Sequence, residues 1–232
     1  MTNILYGIDV SNAQGAIRWN VVKTATQPIT VSFAFCKATE GANYTDSRFH
    51  ENWAGIKSCG IPRGCYEFAR TSNNPIIEAD YFINIVQATN DLNQGDMLVL
   101  DIETSNLVGN PFIQWVLDWC NRVESKTNIT PIIYTGSFFT THSVGTSPDL
   151  MKQIARFPLW EAAYVQFPNS YIPIEWKDIG WRFWQKSGDQ AAHGDTVLQL
   201  PGIHGNVDKD VFIGTPEELQ TFVNISMNTR KL

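Results

Sequence analysis

The chain has 232 residues, 43% of them hydrophobic and 17% charged, and its 17 Lys and Arg against 23 Asp and Glu leave a net charge of −6. That balance, with no cluster of Lys or Arg, argues against nucleic acid as a partner, because phosphate binding wants a basic footprint. No apolar run approaches the roughly 20 residues that span a bilayer, and the N-terminus lacks a basic segment followed by a long apolar one, so we expect synthesis in the cytoplasm without a signal peptide and no membrane partner.

Taken in order, Ile4 to Val10 reads as a strand, followed by a polar loop and by Ile17 to Lys23 with apolar residues at helical spacing. Thr30 to Lys37 is a second strand. After the polar loop Ala38 to Tyr44, Asp46 or Ser47 is a candidate N-cap for a helix through Ile56 that stops at Gly60. Ile61 to Phe68 is a third strand, and Pro75 suits the first turn of a helix over Ile76 to Ala88. Met97 to Glu103 is a fourth strand. A helix from Pro111 to Glu124 carries Phe112, Trp115, Val116 and Trp119 on one side, and Pro131 to Tyr134 is a fifth strand. Units of about 30 residues that alternate strand and helix imply parallel strands with right-handed crossovers.

Beyond Tyr134 the rhythm changes. Pro158 to Tyr164, Trp181 to Lys186 and Asn206 to Ile213 read as strands, but Val165 to Gly180 and Gly188 to Gly205 are rich in Pro, Gly and polar residues. The expected fold is therefore α/β: an irregular TIM-like barrel of about eight strands, five βα units followed by strands without regular helices. Thr215 would cap a final helix from Pro216 through Phe222. A single domain over residues 1–225 with a frayed tail at 226–232 is the expected organisation. Cys36, Cys59, Cys65 and Cys120 form no C-x-x-C pair and lie in apolar segments, as buried free thiols do.

The most informative stretch is Met97 to Glu103, an apolar run that ends in two acids one residue apart. A buried strand places alternate side chains on one face, so Asp101 and Glu103 point the same way. One acid at a strand end commonly caps a loop or meets an Arg; two together are costly unless something uses them. In a barrel the C-terminal strand ends build the site. Those ends carry Asp9, Lys37, Tyr66, Glu67, Asp101, Glu103, Tyr134, Trp160, Gln185 and Asp208.

Clustered acids with aromatic neighbours are what a glycosidase needs. One carboxyl must keep its proton near neutral pH to give it to the leaving oxygen, and others stay ionised against positive charge on the sugar. A divalent cation on Asp9, Asp101, Glu103 and Asp208 is the competing use. It is the weaker reading, because His50, His142, His193 and His204 have no ligand spacing, and no metal or other cofactor is expected.

Five motifs in order, Gly7-Ile-Asp-Val-Ser-Asn-Ala-Gln-Gly15, Phe35-Cys-Lys-Ala-Thr-Glu-Gly41, Leu100-Asp-Ile-Glu103, Ile133-Tyr-Thr-Gly136 and Gly205-Asn-Val-Asp208, resemble the glycoside hydrolase family 25 lysozymes, the Chalaropsis-type muramidases of phages and bacteria. The resemblance runs from Tyr6 to about Phe212. It implies hydrolysis of the β-1,4 bond after N-acetylmuramic acid in peptidoglycan by a phage-type lysin that acts on the cell wall as a monomer. It assigns the general acid to Glu103 and the reacting sugar's orientation or charge stabilisation to Asp101. Asp9 and Asp208 complete an acidic floor, and Lys37, Tyr66, Tyr134, Trp160 and Gln185 bind the glycan. Two residues depart from the pattern. Glu67 stands where many relatives have His, and Glu161 where an apolar residue is expected; facing the cleft, both would raise the proton affinity of Glu103. The rival readings are a catalytically silent glycan-binding or virion barrel and a chitinase-like glycosidase. The second is disfavoured by Val99 and Leu100, where that family's longer motif has acids.

Overall fold

A computed structural model describes residues 3–165, 176–177, 179–188 and 198–225. The first half alternates as expected: β1 (Ile4–Val10), α1 (Trp19–Thr24), β2 (Val31–Glu40), β3 (Tyr44–Thr45), α2 (Phe49–Ser58), β4 (Arg63–Phe68), α3 (Pro75–Gln87), β5 (Met97–Asp101), α4 (Asn110–Thr127) and β6 (Ile132–Gly136). Two short helices, α5 (Ser137–His142) and α6 (Pro148–Ile154), precede β7 (Leu159–Ala162). They are followed by β8 (Phe183–Ser187), β9 (Asp208–Ile213) and α7 (Pro216–Ile225). Among the described residues no α-helix lies between β7 and β8 or between β8 and β9. Residues 166–175, 178 and 189–197 of those two connections, His193 among them, and the tail at 226–232 lie outside the described residues.

The strands close into a barrel in the order β1-β9-β8-β7-β6-β5-β4-β2, with β2 joined back to β1 and the short β3 hairpinned onto β2. Each neighbouring pair from β1 through β2, β4, β5, β6 and β7 to β8 is parallel, whereas β9 runs antiparallel to both β8 and β1. This reversal has a functional consequence. The start of β9 lies at the barrel end where the other strands finish, and Asp208 pairs with Asp9.

Alternation along the strands sorts the core into two layers. Phe33, Phe35, Met97, Val99, Ile132, Tyr134, Trp160, Phe183 and Phe212 fill the interior, and Leu219 and Val223 of α7 close its base. The opposite strand faces, with Ala34, Cys36, Cys65, Leu98, Leu100, Ile133 and Leu159, pack under the helices. The interior has room for Phe33 and Phe35 because Gly7 and Gly64 face them: a Cβ on Gly7 would lie 2.3 Å from the Phe33 ring, and one on Gly64 2.4 Å from Phe35.

Local signals account for the starts of α3 and α7. Asn74 caps α3, accepting from the amides of Ile76 and Ile77, with Pro75 in the first turn. Thr215 and Glu218 form a reciprocal capping box at α7. Asp46 does not cap α2. It is buried and accepts from the amides of Arg48 and Asn12, which ties two loops together, and the helix begins at Phe49. Cys36, Cys65 and Cys120 are buried free thiols and Cys59 is half-buried. No described helix is long and apolar enough to cross a membrane.

Candidate active site

The C-terminal end of the barrel opens into a cavity of about 160 Å³ whose lining includes Asp9, Lys37, Tyr66, Asp101, Glu103, Tyr134, Trp160, Gln185 and Asp208. Nine of the ten residues expected at the site are therefore brought together. A groove of about 440 Å³ adjoins it, with walls from Gly136 to Phe138 and from Ala162 to Val165. Glu103 and Tyr134 line both.

The segment that carries the two central acids is pinned from both sides. Ala69 N donates to Asp101 O at 2.8 Å, and Ile102 N donates to Tyr134 O at 2.9 Å. Asp101, the last residue of β5, is 6% exposed, and its Oδ1 accepts no hydrogen bond from the described residues. Glu103 lies just past the strand and is exposed at the mouth. Lys37 stands nearby, its Nζ bonded to Glu40 Oε2 at 2.6 Å.

Gln185 organises the opposite wall. Its Oε1 accepts from the hydroxyls of Tyr134 at 2.9 Å and Tyr164 at 2.8 Å, while its Nε2 donates to Asp9 Oδ2 at 2.9 Å and Asp208 Oδ2 at 3.2 Å. Two phenols and two carboxylates thus fix one amide, and the amide keeps the acids apart.

Asp210 is the residue that the sequence reading missed. It is wholly buried beneath the floor, accepts from Trp160 Nε1 at 3.1 Å through Oδ1 and hydrogen-bonds to Asp9. A contact between two carboxyls needs one proton, and no described donor reaches Asp210 Oδ2, so Asp210 is the protonated partner and donates to Asp9. The available signal was the Asp208-Lys209-Asp210 spacing, the same one-apart repeat as Asp101 and Glu103. Tyr164 and Phe68, which also line the walls, had no such signal.

The electrostatics follow from burial. Loss of water pushes Asp9 up to about 6, against the hydrogen bonds from Gln185 and Asp210 and with help from the charge on Glu103. Asp101 is driven well above the ordinary carboxyl range, first by burial and then by Glu103 and Asp9. Asp210 is raised likewise by burial, Asp9 and Asp208. Partial enclosure raises Glu103, while Lys37 and Arg70 draw it down.

Two expectations need correction. Glu67 does not face the cleft. Gly64 and Tyr66 take the inward positions of β4, so Glu67 shares the outward face with Cys65 and is buried under α3 and α4, where Oε2 accepts from Trp119 Nε1 at 2.7 Å. Glu161 is likewise on the outward face of β7, opposite in phase to Trp160, and lines neither the cavity nor the groove. Trp160 lines the cavity, yet it is only 2% exposed because its ring stacks on Phe35 at 4.3 Å and meets Tyr134 edge-on at 4.7 Å. It is part of the floor and offers no open face for stacking a sugar.

Comparison with known proteins agrees with this geometry. The model of the family "Glycosyl hydrolases family 25" matches residues 8–195. Protein YegX of Escherichia coli strain K12 is 36% identical, the alignment covering 95% of this chain and 74% of that protein. Lysozyme M1 of Streptomyces globisporus is 33% identical over 96% of this chain and 72% of its own length. Among solved structures, the bacterial lysozyme from Streptomyces coelicolor superposes with a TM-score of 0.80 at 30% identity, covering 97% of this chain and 100% of that one.

Proposed function

The chain belongs to glycosyl hydrolase family 25 and is a glycoside hydrolase, and from that premise we propose that it is an N-acetylmuramidase that cuts the β-1,4 bond between N-acetylmuramic acid and N-acetylglucosamine in bacterial peptidoglycan. The observation that carries this reading is the position of Glu103, exposed where the acidic cavity and the uncharged groove meet. A glycan laid along both would present one glycosidic oxygen to that carboxyl.

In this mechanism Glu103 gives its proton to the leaving oxygen as the bond to the anomeric carbon breaks. Partial enclosure keeps that proton on Glu103 to higher pH than on a free glutamate. Asp101 Oδ1 is a buried acceptor without a described protein donor, suited to the N–H of the sugar's N-acetyl group. Asp9 and Asp208, held by Gln185, supply negative charge against the oxocarbenium-like transition state. Lys37, Tyr66 and Tyr134 serve as wall contacts for the sugar. The product is a new reducing end: water contributes the hydroxyl to the anomeric carbon and its remaining proton restores Glu103. The place of action is the cell wall, as for a phage-type lysin, and the barrel works as a monomer.

The test is digestion of purified peptidoglycan, followed by borohydride reduction and identification of the reduced terminal sugar. Reduced N-acetylmuramic acid is expected. Reduced N-acetylglucosamine, or no new ends, overturns the assignment.

A further inference from the structure

Behind the β4–β5 wall, outside the cavity, two glutamates meet. Glu67 on β4 and Glu78 on α3 are both fully buried and hydrogen-bonded to each other. Two ionised carboxylates in contact without water would be strongly repulsive, so the contact holds a proton. Its location can be read from the remaining bonds. Glu78 accepts at both oxygens, from Asn73 Nδ2 at 2.7 Å and from the amide of Arg70 at 3.2 Å, and is therefore the carboxylate. Glu67 accepts from Trp119 at Oε2, and no described donor reaches its Oε1. The proton therefore sits on Glu67 Oε1 and is donated to Glu78. Of the elements packed around Glu67, α3 presents Glu78, α4 the neutral Trp119 indole and β2 the neutral Thr39 in register, while Asp101 of β5, on the cavity side of the wall, acts on it through its charge alone. The Asp80–Arg122 pair of α3 and α4 lies on their exposed side.

The pair anchors residues 69–73, and that loop reaches the site. Arg70 Nε donates to Glu40 Oε1 at 3.0 Å, and Glu40 Oε2 receives Lys37 Nζ at 2.6 Å. The Arg70 guanidinium and Lys37 Nζ lie 4.5 and 5.0 Å from the centre of the Phe68 ring, the residue after Glu67. Lys37 and Arg70 are also the cations whose field reaches Glu103. We propose that Glu67 is a positioning residue: its protonated carboxyl, bonded to Glu78, holds the 69–73 loop so that Arg70 and Glu40 keep Lys37 beside Glu103. The positioning role rests on the muramidase reading, whereas the shared proton does not.

The experiment compares wild type with E67Q, E67L, R70Q and the E67L/R70Q double variant, following reducing ends from peptidoglycan between pH 4 and 9. Gln supplies an N–H where Glu67 supplies O–H and still accepts from Trp119, so E67Q is expected within about twofold of wild-type kcat/KM. Leu cannot bond to Glu78, and a displaced loop should lower kcat/KM roughly tenfold. It should also move the alkaline limb to higher pH, because Glu103 loses the cations that draw its proton off. R70Q should move that limb the same way, and the double variant no further than the single ones. An unmoved limb in E67L, additive shifts, or E67Q failing as E67L does would overturn the proposal. Should E67L not fold, the E67Q and R70Q arms decide alone.

A second arm needs no activity. The native state keeps a proton on Glu67 that the unfolded chain releases, so above the ordinary carboxyl range wild type loses about tenfold more in its folding constant per pH unit than E67Q does, the other buried acids acting equally on both. The Tm of E67Q minus that of wild type should therefore widen from pH 5 to 9. A constant difference overturns the shared proton, even if wild type proves not to be a muramidase.

Discussion

Glu161 offers a quantitative test of how the barrel wall treats an acid. The side chain is fully buried on the outward face of β7, and neither carboxyl oxygen accepts a hydrogen bond from the described residues. Burial alone pushes it from an ordinary 4.5 up to about 8. At pH 7 the native state therefore retains a proton that the unfolded chain has released, and at about 1.4 kcal/mol per pH unit this costs the native state about 3 kcal/mol. The sign is that of an acid raised on folding: stability is highest below pH 4.5, falls as pH rises, and levels off above about pH 8. Glu161→Gln abolishes the titration in both states. Its unpaired amide costs about 1 to 3 kcal/mol, independent of pH, so the absolute change near pH 5 can take either sign. The difference between variant and wild type is nevertheless expected to move in the variant's favour by about 3 kcal/mol between pH 5 and 7.5. Urea unfolding of both proteins at half-unit pH intervals measures it. Parallel stability curves would refute the reasoning, since they would mean that Glu161 is ionised in the native state and paired.

Glu103→Gln should leave thermal unfolding within a degree or two of wild type, because that exposed side chain anchors no other element among the described residues. It should lower kcat about 10²- to 10⁴-fold, the usual worth of a general acid; activity near wild type on purified peptidoglycan would move the donor role elsewhere. Asp210→Asn can still donate to Asp9 and accept from Trp160, so it should retain kcat/KM within about threefold, whereas Asp210→Ala should lose about tenfold or more by freeing Asp9. Equal losses in both would show that Asp210 does not act as a neutral donor. Gly64→Ala places a methyl 2.4 Å from the Phe35 ring and 2.9 Å from the Met97 carbonyl. It should cost about 1 to 3 kcal/mol in denaturant unfolding, or more where the ring cannot move.

The order of elements was legible because it is written in local chemistry. Apolar runs bounded by turn residues, Pro75 in a first turn and Thr215 before Glu218 act over a few residues and need no knowledge of the rest of the chain. The acid pair at 101 and 103 was legible for the same reason, since alternation along a strand fixes their common face. The β3 hairpin inside an expected loop was not, because a two-residue strand has no period to detect.

By itself, then, the sequence determined a chain of strand and helix units, the sides on which Asp101 and Glu103 emerge, and a set of motifs sufficient to point to a family. Only the tertiary structure decided which way each remaining strand turned its acids. The antiparallel β9 carries Asp208 to Asp9 and tucks Asp210 beneath them, and the inward phase of Gly64 and Tyr66 sends Glu67 to the helix layer. Phe35 stacks on Trp160 and makes that ring part of the floor. The physical reason is one of range. A side chain's neighbour along its own strand is set by backbone geometry, whereas its neighbours across the barrel are set by register and packing among residues far apart in the chain, 176 positions for Gln185 and Asp9.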